Sequence, residues 1–250
     1  MRGYRLCCHA GRQLINHRVN NVVTIYSDYE EEPKDTFLPL PKHLSSDLYN
    51  LEMDGFTDDI EVFSNMIPDQ ARVLELGCGT GRISRVLAGN RRPVIGIDIA
   101  LNMLQAAKRK EVPHCHYISM DMTRMGFTNQ FDIILIGYNT LNLLSDKETI
   151  TACLTGCKKY LHPKGKLLLQ LYLPTKEFIN NKKRTFQFQM FDRPGGGRVI
   201  KEILKKFCPR TRTIQVKERY RIRPMTRGKE NEDYQTTYTL AGFPCSEWYT

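Results

Sequence analysis

Three glycines at alternate positions, 77, 79 and 81, close the apolar run VLELGCGTG (residues 73–81). Glycine enters positive φ at little cost and lets a ligand approach bare backbone. Ahead of it, Val73, Leu74 and Leu76 suit a short strand buried in a parallel sheet. Behind it, Ile83, Val86 and Leu87 recur at i, i+3 and i+4, the apolar stripe of a helix packing back on that strand. Strand, glycine loop and helix in this order point to a nucleoside cofactor held at the carboxyl end of a parallel sheet.

Which nucleoside follows from the neighbours of the glycines. A dinucleotide fingerprint needs a glycine at position 82, where Arg82 stands. Glu75 beside the loop would repel a pyrophosphate but suits a ligand carrying an ammonium, as S-adenosylmethionine does. The next apolar run, residues 93–97, ends at Asp98, which lies 21 residues past Gly77 and matches the spacing of a ribose-binding acid. Residues 116–119 read as a third strand. Asp121, between Met120 and Met122, then suits an adenine amino group; a solvated turn acid is the plainer reading, as a helix cap before Ala100 is for Asp98.

These residues resemble the class I S-adenosylmethionine-dependent methyltransferases, over roughly residue 48 to the end. Glu75, Gly77, Gly79 and Gly81 match the family's acid-plus-GxGxG motif, Asp98 its ribose acid and Asp121 its adenine contact. FDIILIGYNTLNLL matches its fourth strand and following loop, and LHPKGKLLLQLYL its fifth strand. The resemblance implies a Rossmann-like α/β fold and S-adenosylmethionine as cofactor. It also implies a binding set of Tyr49, Glu75, Gly77, Cys78, Gly79, Gly81, Asp98, Ile99, Met103, Asp121, Met122 and Tyr138. Tyr49 resembles the family's tyrosine that closes over the cofactor, and plain packing explains it equally well.

Four segments are expected. Residues 1–42 lack periodicity, carry an acidic knot at 28–32 and several prolines, and read as a mobile or loosely docked arm. Residues 43–173 are the cofactor-binding core, entered through a helical region at 44–66 and alternating strand and helix from 67. Over 174–241 the period drops to two: Phe186, Phe188 and Met190 alternate with Gln187 and Gln189, and Ile214, Val216, Tyr220 and Ile222 with Gln215, Lys217, Arg219 and Arg221. RPGGGR at 193–198 is a hairpin turn. An antiparallel insert after the fifth strand resembles nucleotide-sugar and glycine N-methyltransferase-like enzymes, in which it lids the acceptor pocket. Residues 242–250 begin a helix near Ser246, and the helix and antiparallel strand pair that end a class I domain do not follow. The fifth strand, 167–173, is thus expected to be an exposed edge, covered by missing sequence or by another chain, a homodimer included.

Charge concentrates in the insert: residues 182–229 hold 16 Lys and Arg against Asp192, Glu202 and Glu218, a local +13 against +10 for the whole chain. Arg219, Arg221 and Arg223 on one strand face suit a phosphate or carboxylate of the acceptor, or a nucleic-acid backbone; a solvated outer face is the bland alternative. The eight cysteines are irregularly spaced and read as reduced thiols, not as a disulfide frame or zinc site. Cys153 and Cys157 fall one helical turn apart on residues 148–161, and His114 and His116 share one face of a strand while Cys115 points away. No metal is assigned. The basic first residues lead into no apolar signal core, and the longest apolar runs are far short of a membrane span, so a cytoplasmic chain is the expectation.

No general base is evident. The loop after the fourth strand offers Tyr138, Asn139 and Asn142 and no acid before Asp146, and it lacks the Asn/Asp-Pro-Pro-Tyr signature of base-modifying relatives. Pro244-Cys245 lies far from where cytosine-5 enzymes keep their nucleophile. The expectation is methyl transfer to a small, anionic, amine- or hydroxyl-bearing acceptor, with Tyr138 and Asn139 as weak catalytic candidates. RNA or protein as acceptor, and a cofactor-binding protein without turnover, are the alternatives.

Overall fold

The computed structural model describes residues 3–7, 13–16, 23–27, 36–53, 55–110, 112–180, 184–225 and 230–249, with backbone alone at 3–7, 13–16, 23–27, 184 and 249. In chain order the elements are β1 (Gly3–Cys7), β2 (Gln13–Asn16), β3 (Val23–Ser27), β4 (Leu38–Pro39), α1 (Lys42–Met53), α2 (Asp58–Met66), β5 (Val73–Leu76), α3 (Arg82–Gly89), β6 (Val94–Asp98) and α4 (Leu101–Lys108). There follow β7 (Cys115–Ser119), β8 (Phe131–Ile136), α5 (Lys147–Tyr160), β9 (Leu161–Tyr172), α6 (Lys176–Asn180), β10 (Arg184–Asp192), β11 (Arg198–Cys208), β12 (Thr213–Arg223) and β13 (Glu232–Ala241). Two compact units result, one of Gly3–Asn16 with Met53–Tyr172, the other of Met1–Arg2, His17–Glu52 and Leu173–Thr250.

In the first unit a seven-stranded sheet runs β2-β1-β9-β8-β5-β6-β7. The five strands from β9 to β7 are parallel, each reached through a helix or crossover, as alternating β and α elements require. Val73, Val94, Ile133, Leu135 and Leu168 pack against Ile60 and Phe63 of α2 and Ile83 and Leu87 of α3. The stripe read at 83, 86 and 87 is buried at Ile83 and Leu87 but leaves Val86 exposed; Ser84 is buried in its stead. At α5 the Asp146 side chain accepts the Thr149 N–H at 2.8 Å, and Lys158 and Lys159 fill the last turn, so both helix ends meet the charge their dipole favours.

Four expectations change. The arm carries strands: β1 pairs antiparallel with β9, from Tyr4↔Tyr172 to Cys7↔Leu169, and β2 pairs with β1. The fifth strand is therefore not an edge, because an N-terminal hairpin sits where an antiparallel pair from beyond position 250 was expected. The acidic knot at 28–32 lies outside the described residues. The helical region at 44–66 holds, as two helices with Gly55 between them at φ +74°. His114 precedes the strand at φ +66°, so it does not share a strand face with His116. Residues Cys245–Tyr249 form a 3-10 turn in place of a helix.

In the second unit a six-stranded sheet runs β3-β10-β11-β12-β13-β4, antiparallel except for the short β13–β4 pair. The period-two reading fits it, and Gly195, Gly196 and Gly197 turn the β10–β11 hairpin at φ +86°, +95° and +92°. Leu48 of α1 packs on one face, against Val199, Tyr220 and Ile222. No helix among the described residues is long and apolar enough to cross a membrane.

Candidate functional site

The glycine loop leaves β5 at the carboxyl end of the parallel sheet, and each glycine meets a different constraint. All three have positive φ, +69° at Gly77, +56° at Gly79 and +73° at Gly81. A Cβ on Gly77 would lie 2.2 Å from Thr140 Cγ2, and one on Gly81 would lie 2.2 Å from the Tyr117 hydroxyl. Those two positions are glycine because the protein itself comes close. At Gly79 a Cβ would meet nothing within 4 Å, so the backbone there faces open space.

The loop is tied to the second strand of the motif. Gly77 and Cys78 donate their N–H groups to the Ile97 carbonyl at 2.8 and 2.9 Å. Asp98, at the end of β6, accepts the Gly79 N–H on Oδ2 and the Ala100 N–H on Oδ1, both at 2.8 Å. The carboxylate read as ribose acid and, alternatively, as helix cap thus bonds both the glycine loop and the entry to α4. Ile99, next to it, is 72% exposed, and Leu101 is exposed too, so two large apolar side chains stand uncovered beside Asp98. Met103 lies within α4. Asp121 follows β7 and accepts the Thr123 N–H and hydroxyl, each at 2.8 Å, which hold its carboxyl below the usual range; Met122 is half-buried beside it.

Glu75 faces inward. It is 3% exposed, and its carboxylate accepts the Ser84 hydroxyl of α3 in a short contact. Burial pushes its pKa up to about 7 against the downward pull of the Ser84 bond and of Arg82. Cys78 is buried, and desolvation raises its thiol, so it is a packing group and not a nucleophile. Tyr49 lies on α1, in the other unit.

The loop after β8 is held in an uncommon conformation. Tyr138 and Asn139 are consecutive non-glycine residues at φ +46° and +60°, a conformation that costs of order 1–3 kcal/mol and persists only where surroundings impose it. Two braces do so. The buried Gln170 of β9 accepts the Tyr138 N–H on Oε1 at 2.7 Å. Asn142, fully buried, donates to the Tyr172 carbonyl and accepts the Tyr172 N–H, both at 3.0 Å. Asn142 is therefore a clamp between this loop and β9, not a contact for substrate, and Gln170 gave no signal in the sequence because its partner is 32 residues away. Asn139 Oδ1 is buried and accepts no hydrogen bond among the described residues.

Arg82 replaces the missing glycine and does work of its own. It forms a bidentate pair with the buried Asp59 of α2, at 2.7 and 2.6 Å, donates to the Phe56 carbonyl, and lies over the rings of Phe56 and Tyr138 at 5.4 and 5.7 Å. Helix α2, the glycine loop and Tyr138 are joined through one guanidinium.

In the antiparallel sheet the basic triad is largely matched by acids. Arg221 pairs with Glu202 at 2.9 Å and Asp233 at 3.5 Å, and Arg223 with Asp233 at 2.6 Å. Arg219, buried, and Arg221, half-buried, lie over the Phe37 ring at 4.8 and 4.9 Å.

Residues 73–165 match the family model described as a methyltransferase domain. The putative methyltransferase YqeM of Bacillus subtilis (strain 168) is 34% identical over 109 residues, 42% of this chain and 44% of its own length. The cypemycin N-terminal methyltransferase of a Streptomyces species is 30% identical over 102 residues, 40% and 42% of the two chains. The chain thus spans less than half the length of these relatives. Among solved structures, the S-adenosylmethionine-bound amino pentose methyltransferase CalS10 of Micromonospora echinaspora superimposes with a TM-score of 0.66 at 19% identity, covering 88% of each chain. DesVI of Streptomyces venezuelae gives 0.70 at 15% identity, covering 82% of this chain and 86% of its own. These two likenesses bear on the fold.

Proposed function

We propose that this chain, whose residues 73–165 match the methyltransferase-domain family model, transfers a methyl group from S-adenosylmethionine to a small acceptor bearing an amine or a hydroxyl. The observation that carries the reading is Gly79: a positive-φ backbone facing open space, pinned by the carboxylate of the adjacent strand. That is what a ligand lying against the loop requires, and the exposed Ile99 and Leu101 give an adjacent apolar surface for an adenine ring.

The cofactor supplies an electrophilic methyl group when bound. The chain's own residues bind and orient. Asp98 shapes the loop through Gly79 and Ala100 and is the acid for ribose hydroxyls; Asp121 and Met122 are the adenine-side pair. Glu75 acts from behind the loop through Ser84. At the loop after β8, Asn139 offers a buried carbonyl oxygen with no partner among the described residues, a ready acceptor for an N–H or O–H of the molecule to be methylated. Orientation alone contributes about 7 to 11 kcal/mol in favourable cases, so an acceptor amine that is already neutral needs no strong base.

The acids opposite Arg221 and Arg223 weaken the case for an anionic acceptor and for nucleic acid, since much of that face's charge is already compensated. Titrating the protein with S-adenosylmethionine and NAD, then assaying release of the demethylated cofactor with amines, sugars and total RNA, tests the proposal. Preference for NAD, or turnover with RNA alone, refutes it.

A further inference from the structure

The acid beneath the glycine loop has no cation to itself. Glu75 stands on β5 between Gly96 of β6 and Leu135 of β8, and it is enclosed. A buried carboxylate keeps its charge where a cation or several donors face it. Glu75 accepts from Ser84 of α3, a neutral partner that is itself fully buried.

The charged groups around it are already committed. Arg82 favours the ionised form, but both oxygens of the buried Asp59 hold its guanidinium at 2.7 and 2.6 Å, and the charge of Asp59 opposes ionisation. Arg85, further along α3, donates to the Gly81 carbonyl at 3.2 Å. Asp98 adds a second negative charge at the loop, its oxygens bonded to the Gly79 and Ala100 amides. Cys78, Cys115 and Tyr117 also lie within reach of Glu75, and burial raises all three, so they stay neutral at neutral pH. An ionised Glu75 would therefore join Asp59 and Asp98 with Arg82 answered by Asp59, whereas a protonated one leaves that pair balanced. Burial accordingly lifts its pKa to about 7.

A positive charge laid against the loop would change this balance, because it lowers the cost of ionising the acid behind it. S-adenosylmethionine carries a sulfonium and an ammonium against one carboxylate. We propose that Glu75 is a proton switch for cofactor loading: protonated in the cofactor-free chain, it releases its proton to solvent when the net positive charge of S-adenosylmethionine reaches the loop. The proposal rests on the cofactor reading above and adds its regulation. Since Glu75 is the weaker acid in the free chain, affinity rises with pH up to about 7 and levels above it, so cofactor is taken up well at neutral pH and poorly in acid.

Calorimetry of the full chain with S-adenosylmethionine, in phosphate and in Tris buffer of unlike ionisation enthalpy, counts the protons released. At pH 7 the wild type should release about half a proton more per cofactor than Glu75→Gln, a difference that cancels the titration of the ligand's own amine. Between pH 6 and 8 its affinity should gain up to about tenfold on that of the variant. Methylthioadenosine, which keeps the nucleoside and lacks both positive charges, should show no such difference. Should Glu75→Gln fail to fold, NMR of glutamate-labelled wild type reads the switch directly: one carboxyl titrates near 7 alone and lower with cofactor, and Ser84→Ala moves it up. Equal proton release by wild type and Glu75→Gln, equal release with methylthioadenosine and S-adenosylmethionine, or a Glu75 carboxyl titrating near 4.5 in the free chain overturns the proposal. Cofactor binding without that extra proton refutes the switch and leaves methyl transfer standing, whereas a chain that binds no S-adenosylmethionine refutes both.

Discussion

Replacing Glu75 by Gln should change how stability depends on pH. The carboxyl is enclosed beneath the cofactor loop, and its pKa stands at about 7 against 4.5 for a free side chain. An acid whose pKa is raised on folding holds its proton in the native state at pH values where the unfolded chain has released it. Stability is then highest below the unfolded value and falls as pH rises from 4.5 to about 7. A gap of about 2.5 pKa units corresponds to roughly 3 kcal/mol between the two ends of that window. For a chain of this size that is about 6 to 12 °C in Tm. Gln is neutral throughout, can still accept the Ser84 hydroxyl and removes the slope. Melting wild type and Glu75→Gln by circular dichroism at pH 5, 6, 7 and 8 reads the difference directly, since other titrating groups are common to both proteins. The wild type should lose ground to the variant as pH rises, and Ser84→Ala, which deletes a bond favouring the ionised form, should steepen the loss. Parallel curves would show that Glu75 is ionised in the fold at neutral pH and refute the reasoning.

Asp98→Ala should weaken S-adenosylmethionine binding about tenfold or more, because a charge-assisted contact is worth about 1.5 to 3 kcal/mol and the Gly79 and Ala100 amides lose their acceptor too; unchanged calorimetric affinity would remove it from the site. Gly77→Ala and Gly79→Ala should separate by phenotype. The first drives a methyl into Thr140 and should lower expression and Tm, whereas the second meets no protein atom and should spare most of the stability while impairing cofactor binding. Asn139→Gly should relieve the positive φ and hold or raise Tm by an amount worth about 0.5–1 kcal/mol, while kcat/KM for the acceptor falls with cofactor affinity retained. An Asn139→Gly enzyme with wild-type kcat/KM would show that its amide does nothing for the acceptor.

Local pattern made the parallel half of the fold legible. Glycines at 77, 79 and 81, the acid at 98 and the alternation after 185 are statements about neighbours in the chain, and the structure places strands, loop and turn accordingly. What stayed hidden is long-range. Residues 3–7 have no periodicity to announce a strand, and their partner is β9, more than 160 residues away. Gln170 reads as an ordinary polar strand residue and Asn142 as a hydrogen-bonding candidate of its loop, but the partners that make them braces, the Tyr138 amide and the Tyr172 backbone, lie 32 and 30 residues away. Arg82 was informative as the absence of a glycine, while its bond to Asp59 was not, because helix spacing says nothing about a contact 23 residues back. Lys201 and Glu218 sit in stretches where charges alternate with apolar residues, and alternation alone could not tell that both are buried.

The pairing of β1 with β9 also sets a timetable. Tyr172 is made 168 residues after its partner, Tyr4. At about 5–20 residues per second the ribosome needs roughly ten to thirty seconds to cover that distance. Meanwhile β1 and β2 form at best a lone two-stranded ribbon, which is marginal in water. The five parallel strands can assemble in order as they emerge, but the antiparallel closure must wait for β9. That makes it the final step of building the sheet, and it exposes the early ribbon to nascent-chain partners longer than any other strand of the cofactor-binding unit.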